Sequence, residues 1–256
     1  MKSMRLDDTR SLGRALTLLR LIATDRGKTS FSTLTKELGL PTSTAHRLAA
    51  ELLKHGLISR IGRGKYDLGV AAMGFARGRE YNDILAEAAR PILRQVSKET
   101  GLTAHLGVFE EGMVTYLVKS NGASPDQAHF TREGMQLEAY CSGVGKVLLA
   151  SLSELELDDY LSAEDFVSAT PWTVTNSYAL RQELTQVRQK GMAIDDREIA
   201  EDMMCIAVPL HDGSGRTIAA LSLSMAWSDE AKAQIPVLSL KLTHAASRVG
   251  RNLGYA

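Results

Sequence analysis

Residues 31–69, FSTLTKELGLPTSTAHRLAAELLKHGLISRIGRGKYDLG, carry two short helical periods joined at a glycine and followed by a basic hairpin. The first helix is expected to begin after Ser32, whose hydroxyl can accept a first-turn N–H, with Leu34 and Leu38 one turn apart. Gly39 ends it and opens a tight turn. Pro41 stands at the entrance of the second helix, where a missing N–H costs nothing, and Ala45, Leu48, Ala49, Leu52 and Leu53 form one apolar stripe before Gly56 closes it. The opposite face gathers Thr42, Ser43, Thr44, His46 and Arg47 into the first turn and a half. In a helix-turn-helix these positions reach base edges and phosphates in the major groove. The hairpin, residues 57–68, turns at Gly62-Arg63-Gly64, and its Arg60, Arg63 and Lys65 suit a phosphate backbone or an adjacent minor groove. Singly, each feature has a plainer reading, since Ser and Thr at helix starts are caps and charged runs are solvated faces. Their order points to a winged helix that reads duplex DNA, with Ser32 counted in the same interface.

The charge distribution agrees. Residues 1–80 hold 15 Lys and Arg against 7 Asp and Glu, and residues 81–256 hold 15 against 23, so a net charge of zero hides a basic N-terminal part that suits a polyanionic partner. Upstream of the reader, residues 11–24 place Leu12, Ala15, Leu16, Leu19 and Ile22 at helical spacing, a helix expected to complete a three-helix core with Arg14 on its outer face. A length of 256 residues with 44% hydrophobic residues suits two globular domains. There is no apolar run of membrane-spanning length and no signal-peptide core, and the two cysteines, Cys141 and Cys205, make no secreted disulfide framework, so a cytoplasmic protein is expected.

Residues 70–89 read as a linker helix, and Pro91 restarts the pattern through Ile92, Val96 and Thr100 to Gly101. Alternation then replaces helical spacing: residues 103–109 and 113–119 are expected as a hairpin around Glu110-Glu111-Gly112. Helical patches follow at 143–152, 153–161 and 178–190, then strands at 205–210 and 217–225 around HDGSGR, and a closing helix at 229–252. Adjacent hairpins mixed with helices imply an α+β domain on an antiparallel sheet.

The segments PTSTAHRLAAELLKHG and GKYDLG, then YCSGVGKVLLA, then TNSYALRQELTQVRQKGMAIDDREIAEDMMCIAVPLHDGSGRTIAALSLS, resemble an IclR-type transcriptional regulator over essentially the whole chain. The resemblance implies a winged helix-turn-helix DNA-binding domain (1–69), linker helices used in dimerisation (70–100) and a GAF-like effector-binding domain (101–256). It implies a homodimer or dimer of dimers that represses or activates a catabolic operon on double-stranded operator DNA, with no cofactor. Asp195, Cys205, Ser222 and Ser224 match positions that line the effector pocket in such proteins, with Met203 two residues before the cysteine and Cys141 beside the glycine motif. Two departures stand out: Arg197 replaces a frequent acidic residue, either as a cation near an acidic effector or as a surface group, and Met225-Ala226-Trp227 replaces a common Gly-Pro continuation.

The residue chemistry of the same region suits a small anion. Ser142, Gly143 and Val144 open a helix whose free N–H groups and positive end suit a carboxylate, although such glycines also serve close helix packing. Ser222 and Ser224 share one strand face and can hold an oxygen jointly, while Asp195 can accept a ligand hydroxyl or order its strand. The Gly-Val-Gly-Lys run is not a nucleotide loop, because Tyr140 stands where glycine is needed and Val147 where Ser or Thr is needed. No catalytic motif is present, and the six histidines, at 46, 55, 105, 129, 211 and 244, lack ligand-like intervals, so neither an enzyme nor a metal site is expected; His105 alone is considered for ligand contact. The effector is expected to be a small organic acid, either a short oxo or hydroxy acid or an aromatic acid. The alternative is a ligand-independent DNA-binding protein whose C-terminal domain only oligomerises. A redox role for the cysteines stays open.

Overall fold

The computed structural model describes residues 11–75, 80–123, 131–163 and 165–255, in two compact units that divide after Glu80. The first unit runs α1 (Ser11–Asp25), α2 (Phe31–Glu37), α3 (Thr42–Lys54), an antiparallel pair β1 (Ile58–Gly62) and β2 (Lys65–Leu68), and the single turn α4 (Val70–Gly74). Gly39 takes φ +62° in the α2–α3 turn, a conformation that a residue with a Cβ enters only at a cost. The α3 stripe faces the core as expected, with Ala45, Leu48, Ala49 and Leu52 buried and Leu53 at its margin.

Two expectations in this unit shift. The α2 cap is Ser30, whose Oγ accepts the Thr33 N–H at 3.3 Å, and Ser32 lies exposed in the first turn. The cause is Phe31, which is buried and meets the Tyr66 ring edge-on at 5.0 Å, so the helix starts where that ring enters the core. On α1 the core stripe runs through Leu18 and Ile22, both 0% exposed, while Leu12 and Leu16 are 71% and 50% exposed. The leucine-rich helix offers overlapping stripes at helical spacing, and packing on α3 selects one of them. Arg14 is accordingly half-buried, not on the outer face, and its Nε has no hydrogen-bond partner among the described residues.

The second unit runs α5 (Tyr81–Thr100), β3 (Thr103–Glu110), β4 (Met113–Ser120), β5 (Gln136–Glu138), α6 (Gly143–Ala150), α7 (Glu154–Ala163), α8 (Ser177–Lys190), β6 (Ala193–Asp196), β7 (Met203–His211), β8 (Thr217–Ala226) and α9 (Asp229–Asn252). Its six strands form one antiparallel sheet in the order β5-β4-β3-β8-β7-β6. Alternation divides the strands between two cores. Leu106, Ile206, Val208, Leu221 and Leu223 point to one face and pack with Leu85, Leu93 and Val96 of α5 and Leu242 and Val249 of α9. Ala207 and Ala220 belong to the other core, with the wholly buried α6 and with Leu180 and Leu184 of α8.

The expected linker stretch divides between the units. The helix does not restart at Pro91: α5 runs through that proline, because burying Leu85, Ala89, Ile92, Leu93 and Val96 along one side outweighs the missing donor. Only α4 remains with the first unit, and residues 76–79 lie outside the described set, as does His129. Strands β5 and β6, of three and four residues, are too short for alternation to announce them. No helix among the described residues is long and apolar enough to cross a membrane.

Candidate DNA interface and effector pocket

In the first unit most of the residues expected to read DNA are exposed. Thr42, Ser43, His46 and Arg47 are exposed, Thr44 is half-buried, and the first turn of α3 carries no acidic residue. Its N-cap position is Pro41, which supplies no side-chain cap, so the first-turn N–H groups are left for an outside acceptor such as a phosphate. His46 also meets the Phe31 ring at a tilt, centroids 5.1 Å apart, a contact between α3 and α2. In the wing, Arg63 occupies the exposed tip between β1 and β2. Arg60 lies 6.0 Å from the centre of the Tyr66 ring, at the limit of a cation–π contact. Lys65 is engaged within the unit: its Nζ donates to the Lys28 carbonyl at 3.1 Å.

In the second unit, register brings the polar residues of the α6-facing sheet surface into rows. Thr103 pairs with Ser224, Ser224 with Cys205, and Cys205 with Asp195, so one row crosses four strands. His105 pairs with Ser222 in the next row. The start of α6 lies above them, and a cavity between is lined by Ser142, Gly143, Val144, Asp195, Met203, Cys205, Ser222 and Ser224, the expected set except Cys141. Cys141 is instead packed in the core with Val144, Val147 and Tyr140, because it precedes the helix and turns inward with it. Tyr116, Thr131, Leu137 and Ile199 complete the lining and were not anticipated. Thr131, Leu137 and Ile199 lie in loops or a three-residue strand, where no periodic signal exists, while Tyr116 sits on the expected strand β4, where alternation gives the face but not the partner across the sheet. The enclosed volume is about 10 Å³, room for about one water molecule.

Chemistry within the cavity is set by burial. Ser142 Oγ accepts the Gly145 N–H at 3.0 Å, capping α6. A Cβ on Gly145 would fall on the Ala139 backbone, so this glycine serves close packing, while one on Gly143 would meet Ala207 and Cys205 only at ordinary contact distance. Asp195 accepts the Glu198 N–H at 2.7 Å, and burial raises its pKa to about 6. Cys205 Sγ donates to Ser224 Oγ at 3.1 Å. Burial pushes both thiols up, Cys141 to about 12, which keeps them protonated while they are buried. His105 is neutral, its pKa lowered to about 3 by burial, and its Nε2 lies 2.9 Å from Thr131 Oγ1.

Lys146, the lysine of the Gly-Val-Gly-Lys run, points away from the helix start into a buried ion triad with Glu183 of α8, at 2.6 Å, and with Glu198. That orientation is incompatible with a phosphate at the glycines. Burial opposes its charge, and the two glutamates outweigh burial, so its pKa lies above the ordinary lysine value. Glu198 is pushed up to about 7, because burial outweighs its lysine partner. Arg197 neither lines the cavity nor faces solvent alone: its guanidinium lies between Trp172 and Trp227, 4.2 and 4.3 Å from the ring centres. Arg197 thus touches Trp227, the last residue of the Met225-Ala226-Trp227 stretch noted in the sequence.

Comparison with known proteins places this architecture. Residues 11–62 match the IclR helix-turn-helix domain, and residues 81–251 match the bacterial transcriptional regulator IclR C-terminal domain. The chain is 32% identical over 246 residues to the HTH-type transcriptional regulator XynR of Escherichia coli (strain K12), covering 96% of this chain and 97% of that protein. The transcriptional repressor IclR of the same organism is 29% identical over 216 residues, 84% of this chain and 79% of that protein. A crystal structure of an IclR homolog from Microbacterium hydrocarbonoxydans complexed with 4-hydroxybenzoate aligns with a TM-score of 0.64 at 26% identity, over 96% of this chain and 100% of that one.

Proposed function

The chain belongs to the IclR family of transcriptional regulators, and from that premise we propose that it represses a catabolic operon until a small organic acid enters the second unit. The observation that carries the acid reading is the polar row Thr103, Ser224, Cys205 and Asp195, with Ser222 beside it, under the start of α6. The Gly143 and Val144 N–H groups suit a carboxylate, the two serine hydroxyls suit a second oxygen, and the Asp195 carboxylate in the lining suits a ligand hydroxyl. The acid in the Microbacterium complex, with one carboxylate and one hydroxyl, has the two-ended form this arrangement favours. Repression is the activity in the name of the E. coli IclR relative.

A homodimer, or a dimer of dimers, is supported by Leu12 and Leu16 on α1 and Val70, Met73 and Phe75 on or beside α4, large apolar side chains left exposed on the first unit. Each copy would set Thr42 to Arg47 in a major groove, so the operator should be a pseudo-palindrome with half-sites about one helical turn, or a multiple of it, apart. For the acid to regulate, it must bind one arrangement of the readers more tightly than the other.

Selection from random duplexes supplies an operator, and melting of the protein with 4-hydroxybenzoate, pyruvate and lactate tests the effector. An acid at a hundred times its Kd should add about 2.7 kcal/mol of stability and loosen the operator complex. Unchanged melting and unchanged operator affinity with every acid would favour a ligand-independent DNA-binding protein whose second unit only oligomerises.

A further inference from the structure

A cavity with room for one water cannot admit an acid unless a wall moves, and the walls differ in what holds them. Ser222, Ser224, Cys205 and Tyr116 lie within paired strands, Leu137 is paired to Val114, and Ser142 to Val144 belong to the capped start of α6. Displacing any of these breaks a ladder or a helix. The connection from Arg197 to Asp202 is different. The β6–β7 ladder ends at the Asp196–Met204 pair, so the six residues between the strands have no partners in it, yet Ile199 lines the cavity and packs with Met203 and Cys205.

This connection is held from the cavity side by Asp195, which accepts the Glu198 N–H at 2.7 Å, and by a set of contacts away from the cavity. The Arg197 guanidinium is clasped by Trp172 and Trp227, and its Nε lies 3.1 Å from Asp196 Oδ1. Trp227 Nε1 donates to the same carboxylate at 2.8 Å, and Lys232 Nζ approaches it at 3.0 Å. The Arg197 carbonyl accepts from Thr170 Oγ1 and the Glu198 carbonyl from Thr173 Oγ1, each at 2.7 Å. The Glu198 carboxylate is fastened to Lys146. Arg197 itself holds φ +69°, a left-handed conformation that a residue with a Cβ occupies at a cost and that its contacts must sustain.

We propose that the Arg197–Asp202 connection is the door of the effector cavity and that Arg197 and Glu198 latch it, acting as positioning residues that admit the ligand without touching it. The proposal rests on the effector reading of this cavity. In this arrangement Arg197 and Trp227 keep shut a cavity whose inner apolar cluster is small. Opening lifts Ile199 off Met203 and Cys205 and bares the Cys205 thiol, which is buried when the door is shut.

That thiol makes the door measurable in the full-length protein without a ligand. In a Cys141→Ala background Cys205 is the sole cysteine, and its reaction with 5,5′-dithiobis(2-nitrobenzoate) under native conditions follows the fraction of time the cavity is open. Arg197→Ala and Glu198→Gln should each speed labelling about tenfold, the order expected for losing a cation–π clasp or one arm of a buried ion pair. The rates should stay flat in low urea, as for a local opening, and Arg197→Lys, which keeps a cation between the rings, should stay within about twofold of the parent. Equal rates in parent and Arg197→Ala, or rates rising with urea as steeply as global unfolding, would overturn the proposal. Melting with the three acids separates the two ideas. Latch-dependent labelling with no stabilising acid keeps the door and removes the effector reading, whereas a stabilising acid with latch-independent labelling keeps the effector reading and removes the door.

Discussion

Arg47 projects from the exposed face of α3 one turn beyond the helix start, the place from which a forked cation reaches two acceptors on a guanine edge. Arg47→Ala should weaken operator binding by about 1–3 kcal/mol and relax sequence preference at one base pair, measured by titration against the selected operator and single-base variants. Arg63, at the wing tip, should act through phosphate: its alanine variant is expected to weaken binding to every sequence alike and to lower the slope of log K against log salt by about 1. A slope equal to the parent's would remove the wing from the interface. Ser222→Ala should abolish acid-dependent release while leaving operator affinity intact, and loss of both would make this serine structural. Such residues were legible because strand alternation and helix faces depend on neighbours a few positions away. Lys146 was legible only as part of a glycine motif, since nothing near it announces Glu183 and Glu198, 37 and 52 residues downstream.

Among the elements, α6 shows how a short motif serves two ends. Its first glycine opens space at the cavity, and its second admits the Ala139 backbone. Gly145→Ala should therefore destabilise the second unit by about 1–3 kcal/mol through overpacking, read from urea melts, although alanine raises helix propensity. A stabilised variant would mean that α6 has slack against Ala139. The hairpin at Glu111-Gly112, the winged helix and the ends of α9 follow from turn residues and caps, so they could be placed from sequence. The α1 stripe could not, because two stripes satisfy one period. Nor could the continuity of α5 through Pro91, where tertiary burial overrides a local signal.

For the molecule as a whole, the buried carboxyls make stability depend on pH. Glu198 and Asp195 have their pKa values raised to about 7 and about 6, from ordinary values of 4.5 and 3.8, so the folded state keeps protons that the unfolded chain gives up. The stability they contribute is fully present below the unfolded values and is lost as pH rises through the folded ones. Lys146 on α6, Glu183 on α8 and the Val174 N–H face the Glu198 carboxyl. Buried neutral His105, lowered to about 3, acts in the opposite direction up to its ordinary 6.5, so the clean signal is a difference. Relative to Glu198→Gln, the parent should lose stability steadily from about pH 4.5 to 7.5 in urea melts. A parent that gains stability over that interval would show the Lys146 pair to dominate Glu198.

What the sequence determined by itself was local: the wing, the reader's polar face, the hairpins and the strand serines, together with the split between a basic N-terminal part and an acidic remainder. Each rests on caps, turns and periods that span a few residues. Only the tertiary structure decided that Thr103, Ser224, Cys205 and Asp195 form one row, that Lys146 turns from the glycines into an ion triad, and that Trp172 and Trp227 close on Arg197. Those contacts join residues tens of positions apart, and sheet register and helix packing, which no short window of sequence contains, bring them together.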